Sequence, residues 1–272
     1  MVTARAHARR SPPGDQATKG AWSIFSELGA AGVGLGLAAA ILIGFSKTGV
    51  PGAGLPAAAF MAEVFRHEDT RLSVGAMVPL LVLGDLFAIA YYRRHVLWNR
   101  LLELLPFVVL GMIPAYVVLS RIESEPLRLL IGSIILVLLA LHVGRKRLGL
   151  ESLADRRWFA GIMGFLAGFG TVIGNAAGPA MSIYLVSKKF DKHEFLGTTA
   201  WLFLLVNVSK IPFFARLDMI TAETLWFDLW MAPILVAGAL LGVFVHKRIP
   251  QDVFNTLVLL LAGAAGLRMV LA

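Results

Sequence analysis

Apolar positions in this chain come in blocks of about twenty residues separated by short polar stretches. They do not alternate as in a half-buried strand, nor do they form the narrow stripe of a soluble helix. Six blocks are continuous: 72–92, 101–120, 127–144, 195–215, 226–245 and 253–271. Each has the length a helix needs to cross a bilayer, where about 20 residues span the hydrocarbon. Two further blocks, 29–65 and 158–187, are just as apolar but interrupted. The first contains GFSKTGVPGAGLPAAAF at 44–60 and the second GFGTVIGNAAGPAMSIY at 168–184. Breaking a helix in hydrocarbon frees backbone N–H and C=O groups that no lipid can pair, so each break is expected to be buried in protein or to line a cavity.

The two breaks lie on one another without gaps. Gly44, Phe45, Ala53 and Gly54 fall on Gly168, Phe169, Ala177 and Gly178, an offset of 124 residues. A second register places Pro106, Val109, Gly111, Val118, Arg121 and Ile122 on Pro233, Val236, Gly238, Val245, Arg248 and Ile249, an offset of 127. The expected fold is an all-α polytopic membrane protein made of two homologous halves, 29–144 and 158–272. Residues 145–157 form a basic linker, and residues 1–28 a disordered or interfacial tail that is retained rather than cleaved as a signal peptide. Paired interrupted segments in corresponding places are the usual sequence mark of a transporter's binding site.

Charge bears on whether the interrupted blocks cross the membrane or turn back. If they turn back, 13 Lys and Arg residues gather in the loops of one side and six in those of the other, with four more in the tail. This separation favours re-entrant helical hairpins, each followed by three spanning helices, and makes the halves inverted repeats.

Composition agrees, with 58% hydrophobic residues, 15% charged residues and a mean hydropathy of +0.77. The net charge of +8 lies mainly in loops and tail, which reads as topology and not as nucleic-acid binding. Cysteine is absent, which excludes disulfides and thiolate metal sites. No histidine pair has metal-ligand spacing, and no phosphate loop, nucleophile elbow or catalytic carboxylate pair is present. No enzyme, metal or cofactor is therefore expected.

Chemistry concentrates at the breaks. Gly54-Leu55-Pro56 and Gly178-Pro179 read as helix starts at membrane depth, whose free N–H groups and positive dipole ends favour an anion. The candidate substrate-binding residues are Ser46, Lys47, Thr48, Gly49 and Gly54 from the first break, Gly174, Asn175 and Gly178 from the second, and Asn207. Asp85, in the middle of a span, reads either as a proton carrier or as a counter-charge to Lys47 or Lys210. Lys210 shares a helical face with Asn207. For both lysines, snorkelling to an interface is the alternative. The partners expected are a small anion and the bilayer, with a homo-oligomer left open; an anion channel is the rival reading.

GFSKTGVPGAG in the first half, and above all GNAAGPAMSIYLVSKKFDKHEFLGTTAWLFLLVNVSKIPF at 174–213, resemble the TauE/SafE family of membrane transporters, the sulfite exporter family. The resemblance covers the chain from about residue 29 onward, with Val50-Pro51 standing where many members have further glycines. It implies a multi-pass protein of the bacterial inner membrane that moves small sulfur oxyanions or sulfonates such as sulfite and sulfoacetate.

Overall fold

The computed structural model describes residues 13–49, 53–66, 68–144, 147–149, 156–188, 190 and 192–246, and isolated positions between 260 and 271. The expected span 253–271 and most of the linker lie outside the described residues. Among those described there are helices and no strands: α1 Pro13–Thr48, α2 Gly54–Val64, α3 Thr70–Tyr92, α4 Trp98–Leu119, α5 Ser124–Gly144, α6 Arg157–Gly174, α7 Gly178–Ser187, α8 Lys192–Arg216 and α9 Ala222–His246. Each matches an expected block to within four residues, apart from the N-terminal start of α1. That helix runs back to Pro13 across a kink at Gly29 (φ 62°), so residues 13–28 of the expected tail are helical.

Among the described residues, seven segments are long and apolar enough to cross a membrane. Two of them, Gly29–Thr48 and Arg157–Gly174, are the first arms of the interrupted blocks. Each interrupted block is thus a long arm, a break and a short arm. Large apolar side chains such as Leu102, Ile113, Val137, Leu229 and Leu240 are about half exposed, as expected of surfaces that face lipid tails.

The short arm α2 folds back along α1. At the break Gly54 lies beside Ser46, while at the other end of α2 Phe65 meets Phe227 edge to face at 5.7 Å, and Phe227 also covers Gly36, two turns past the Gly29 kink of α1. Next, α3 runs parallel to α1, with Gly84 against Ile43 and Lys47, and α8 runs antiparallel to α3. Asp85 meets Asn207, Tyr92 meets His193, and Gly75 meets Met219 just beyond the end of α8.

The tightest seams join α1 to α9 and α4 to α6. A methyl group on Gly44 would overlap the Leu235 carbonyl, and one on Gly238 the Ile41 carbonyl; Gly168 stands likewise against Val108, and Gly111 against Phe165. These pairs reproduce both sequence registers: 44 and 41 become 168 and 165 at an offset of 124, and 235 and 238 become 108 and 111 at an offset of 127. In both seams the helices run parallel, Gly36, Gly44 and Thr48 meeting Phe227, Leu235 and Gly242 in turn. Without side chains to hold them apart, the helices approach until backbone touches backbone, and dispersion replaces the hydrophobic effect that lipid cannot supply.

Gly44→Ala and Gly168→Ala should each cost about 1–3 kcal/mol by forcing a seam apart, seen as a lower unfolding temperature in detergent. Gly34→Ala, where a methyl group meets nothing within 4 Å, should be neutral or slightly stabilising. Equal effects at all three positions would mean the seams are not close-packed.

Candidate functional site

The two breaks meet at a cavity of about 70 Å³, room for a few waters or one small oxyanion. Ser46, Lys47, Gly54 and Leu55 line it from the first broken segment, and Thr171, Asn175, Ala177, Gly178 and Met181 from the second. One stripe of α8 closes it: Phe195, Thr199, Phe203 and Asn207, four apart and so on one helical face. Leu81 of α3 completes the wall.

Each broken segment brings two helix ends of opposite polarity to this place. The last turns of α1 and α6 present carbonyl groups, the negative ends, and each has one lysine with it. Lys47 stands in the last turn of α1 itself. Lys210 comes from α8 and donates to the Thr171 carbonyl (3.1 Å) and hydroxyl (3.2 Å) near the end of α6. A cation at a helix C-terminus offsets the dipole. The starts of α2 and α7 carry no acidic residue in their first turns, and Ala53, which precedes α2, supplies no side-chain cap. Their positive ends face the cavity without a matching charge.

The third hydrogen bond of Lys210 goes to Asn175 Oδ1 at 2.7 Å, so all three ammonium protons are placed. Lys210 is fully buried and makes these bonds inward, which sets aside snorkelling. Asn175 caps α6 in the left-handed conformation (φ 54°), which asparagine tolerates better than most residues, and its amide nitrogen donates to the Val74 carbonyl of α3 at 3.0 Å. One side chain therefore fixes the turn and ties the second break to both central helices.

Lys47 is placed differently. Its ammonium lies 2.6 Å from Asp85 Oδ1 and 4.6 Å from the centre of the Phe203 ring, with a tenth of the side chain exposed to the cavity. The other carboxylate oxygen, Oδ2, accepts from Asn207 Nδ2 at 2.7 Å. Lys47 and Asn207 thus each hold one oxygen of the carboxylate. Asp85 is wholly buried just behind the cavity wall.

Of the residues singled out by sequence, Ser46, Lys47, Gly54, Asn175, Gly178 and Asn207 line the cavity, and Asp85 and Lys210 bond to residues that do. Thr48, Gly49 and Gly174 face elsewhere. The Thr48 hydroxyl donates to the Ala239 carbonyl at 2.6 Å, Gly49 packs on Gly242, and Gly174 packs on Ile131. The Thr48 carbonyl accepts from the Tyr92 hydroxyl at 2.8 Å, which anchors the first hairpin tip to the end of α3. Sequence reading passes over Thr171, Thr199 and Phe203. The repeat offset of 124 leads from Lys47 to Thr171, and steps of four back from Asn207 lead to the other two.

Buried polar groups and a cavity walled by two broken segments inside a bundle of membrane-length helices define a multi-pass membrane protein with an internal site. The family model described as sulfite exporter TauE/SafE matches residues 31–269, and the chain belongs to that family of membrane transporters. No curated protein and no solved structure matches the chain.

Asn175→Gly should keep the left-handed turn and lose only the side-chain bonds, whereas Asn175→Ala loses both and costs about 1–2 kcal/mol more. Unfolding temperatures of the two variants measure the difference, and a less stable glycine variant would mean the turn is not what Asn175 supplies.

Proposed function

We propose that this protein is a secondary transporter that moves a small anion across the bacterial inner membrane by alternating access, coupled to protons through Asp85. The anion proposed is a sulfur oxyanion or organosulfonate of the sulfite or sulfoacetate kind, in keeping with the family. The observation that carries the anion reading is the charge pattern of the cavity: two uncompensated helix N-termini and the Lys47 ammonium face it, while its single carboxylate lies behind the wall.

The architecture we infer is two homologous halves, 29–144 and 158–272, each a re-entrant hairpin and three spanning helices, related as inverted repeats. Three features support it: α2 returns along α1, the α1–α9 and α4–α6 seams exchange under the repeat offsets, and α3 and α8 run antiparallel. An odd number of crossings after a returning hairpin places the second half the other way up.

Counterflow in liposomes tests the function. Vesicles loaded with sulfite should accumulate labelled sulfite from outside, and an excess of the true substrate should abolish the accumulation. Lys47→Ala should reduce the initial rate at least tenfold at equal protein incorporation. Unitary currents without counterflow would favour a channel, and undiminished counterflow in Lys47→Ala would remove the cavity from the pathway.

A further inference from the structure

We infer that Asp85 is a built-in competitor of the transported anion: carboxylate and substrate alternate on the Lys47 ammonium, so that each anion bound brings one proton with it. This rests on the anion site proposed above and adds to it a stoichiometry and a direction of coupling.

The two lysines differ in what they have left to offer. Lys210 has used its three donors on Thr171 and Asn175, within a fully buried pocket. Lys47 pairs with Asp85 Oδ1, lies against the Phe203 ring and lines the cavity. It is therefore the one cation of the pair that an anion in the cavity can reach. An ammonium between two anions in a low-dielectric site pairs well with only one, and the other is left without compensation.

The groups facing Asp85 are Lys47 from α1, and Asn207 and Lys210 from α8. None of them is acidic, so the anion itself is the group that sets Asp85 against Lys47. The Lys47 contact is the side at which a bound anion can take the carboxylate's place, because Lys47 itself lines the cavity. The Asn207 side adapts to either state: an amide that donates to Oδ2 of the carboxylate can turn about its terminal bond and accept from the O–H of the acid.

The step balances simply. Asp85 takes up one proton from the bulk solution on the side to which the cavity opens, Lys47 stays an ammonium, and the anion replaces the carboxylate beside it. For a monovalent anion the loaded site carries the same charge as the empty one. Anion and proton then move in the same direction, and their joint passage is electroneutral.

The test uses methanesulfonate, whose charge is constant between about pH 5 and 8, with the purified full-length protein. Isothermal titration in two buffers of different ionisation enthalpy counts the protons taken up per anion. Wild type should take up close to one proton where Asp85 is ionised, its affinity rising about tenfold for each unit the pH falls. Asp85→Asn should take up none, bind independently of pH, and at the alkaline end bind at least tenfold more tightly than wild type. Asp85→Glu should restore uptake, and it decides the matter with wild type if the asparagine variant does not fold.

Binding to wild type without proton uptake, or a folded Asp85→Asn that binds more weakly at every pH, would overturn the competition and leave the anion site standing. Failure of methanesulfonate, sulfite and sulfoacetate alike to bind either protein would overturn the anion site, and the competition with it.

Discussion

A helix that stops inside a membrane leaves peptide groups with no water to turn to, and everything at the centre of this protein follows from pairing them within the protein. At the end of α6, Thr171 receives Lys210; at the tip of the first hairpin, Thr48 receives Tyr92. Asn175 bends the chain and reaches α3 and α8 at once. The carbonyl ends are thus occupied by donors from neighbouring helices, while the N–H ends of α2 and α7 remain facing the cavity. The anion preference we propose rests on this asymmetry more than on any one basic residue.

Corresponding positions in the two halves carry different chemistry in a shared arrangement. In the first half the last turn of a long arm offers Lys47 to Asp85 on the following helix. In the second half it offers Thr171 to Lys210 on the following helix. The separations along the chain, 38 and 39 residues, are nearly equal, so one contact has been kept while its charges have been redistributed. One half acquired a fully satisfied clamp and the other a partly satisfied ion pair. The two contacts occupy matching places, and they differ in that Lys47 lines the cavity while Lys210 is fully buried behind it.

The sequence was legible where local chemistry decides the outcome. Twenty-residue apolar blocks specify membrane helices because hydrocarbon leaves the backbone no other partner, and Gly-Leu-Pro and Gly-Pro mark helix starts because proline tolerates the first helical position. Lys47, Asn175, Asp85, Asn207 and Lys210 stand out as costly residues in such surroundings. Their partners were not legible. Whether Asp85 meets Lys47 or Lys210 depends on how α1, α3 and α8 cross, which is a tertiary matter. Thr48 resembles a cavity donor in sequence, yet the turn of α1 carries it to α9, because Gly242 opens space on that side. Phe203 and Thr199 are ordinary span residues until the cavity gives their stripe a role.

The glycine seams bind each hairpin to a helix of the opposite half: α1 to α9, and α6 to α4. Contacts with no side chain between them leave little room for sliding, since a shift of one residue would drive side chains into backbone. The pieces held as solid bodies are therefore composite, one joining the first and last described long helices and the other joining two from the middle of the chain. Cutting the chain between α5 and α6 would not yield two working machines, because α1 would lose α9 and α6 would lose α4, the helices against which they are braced.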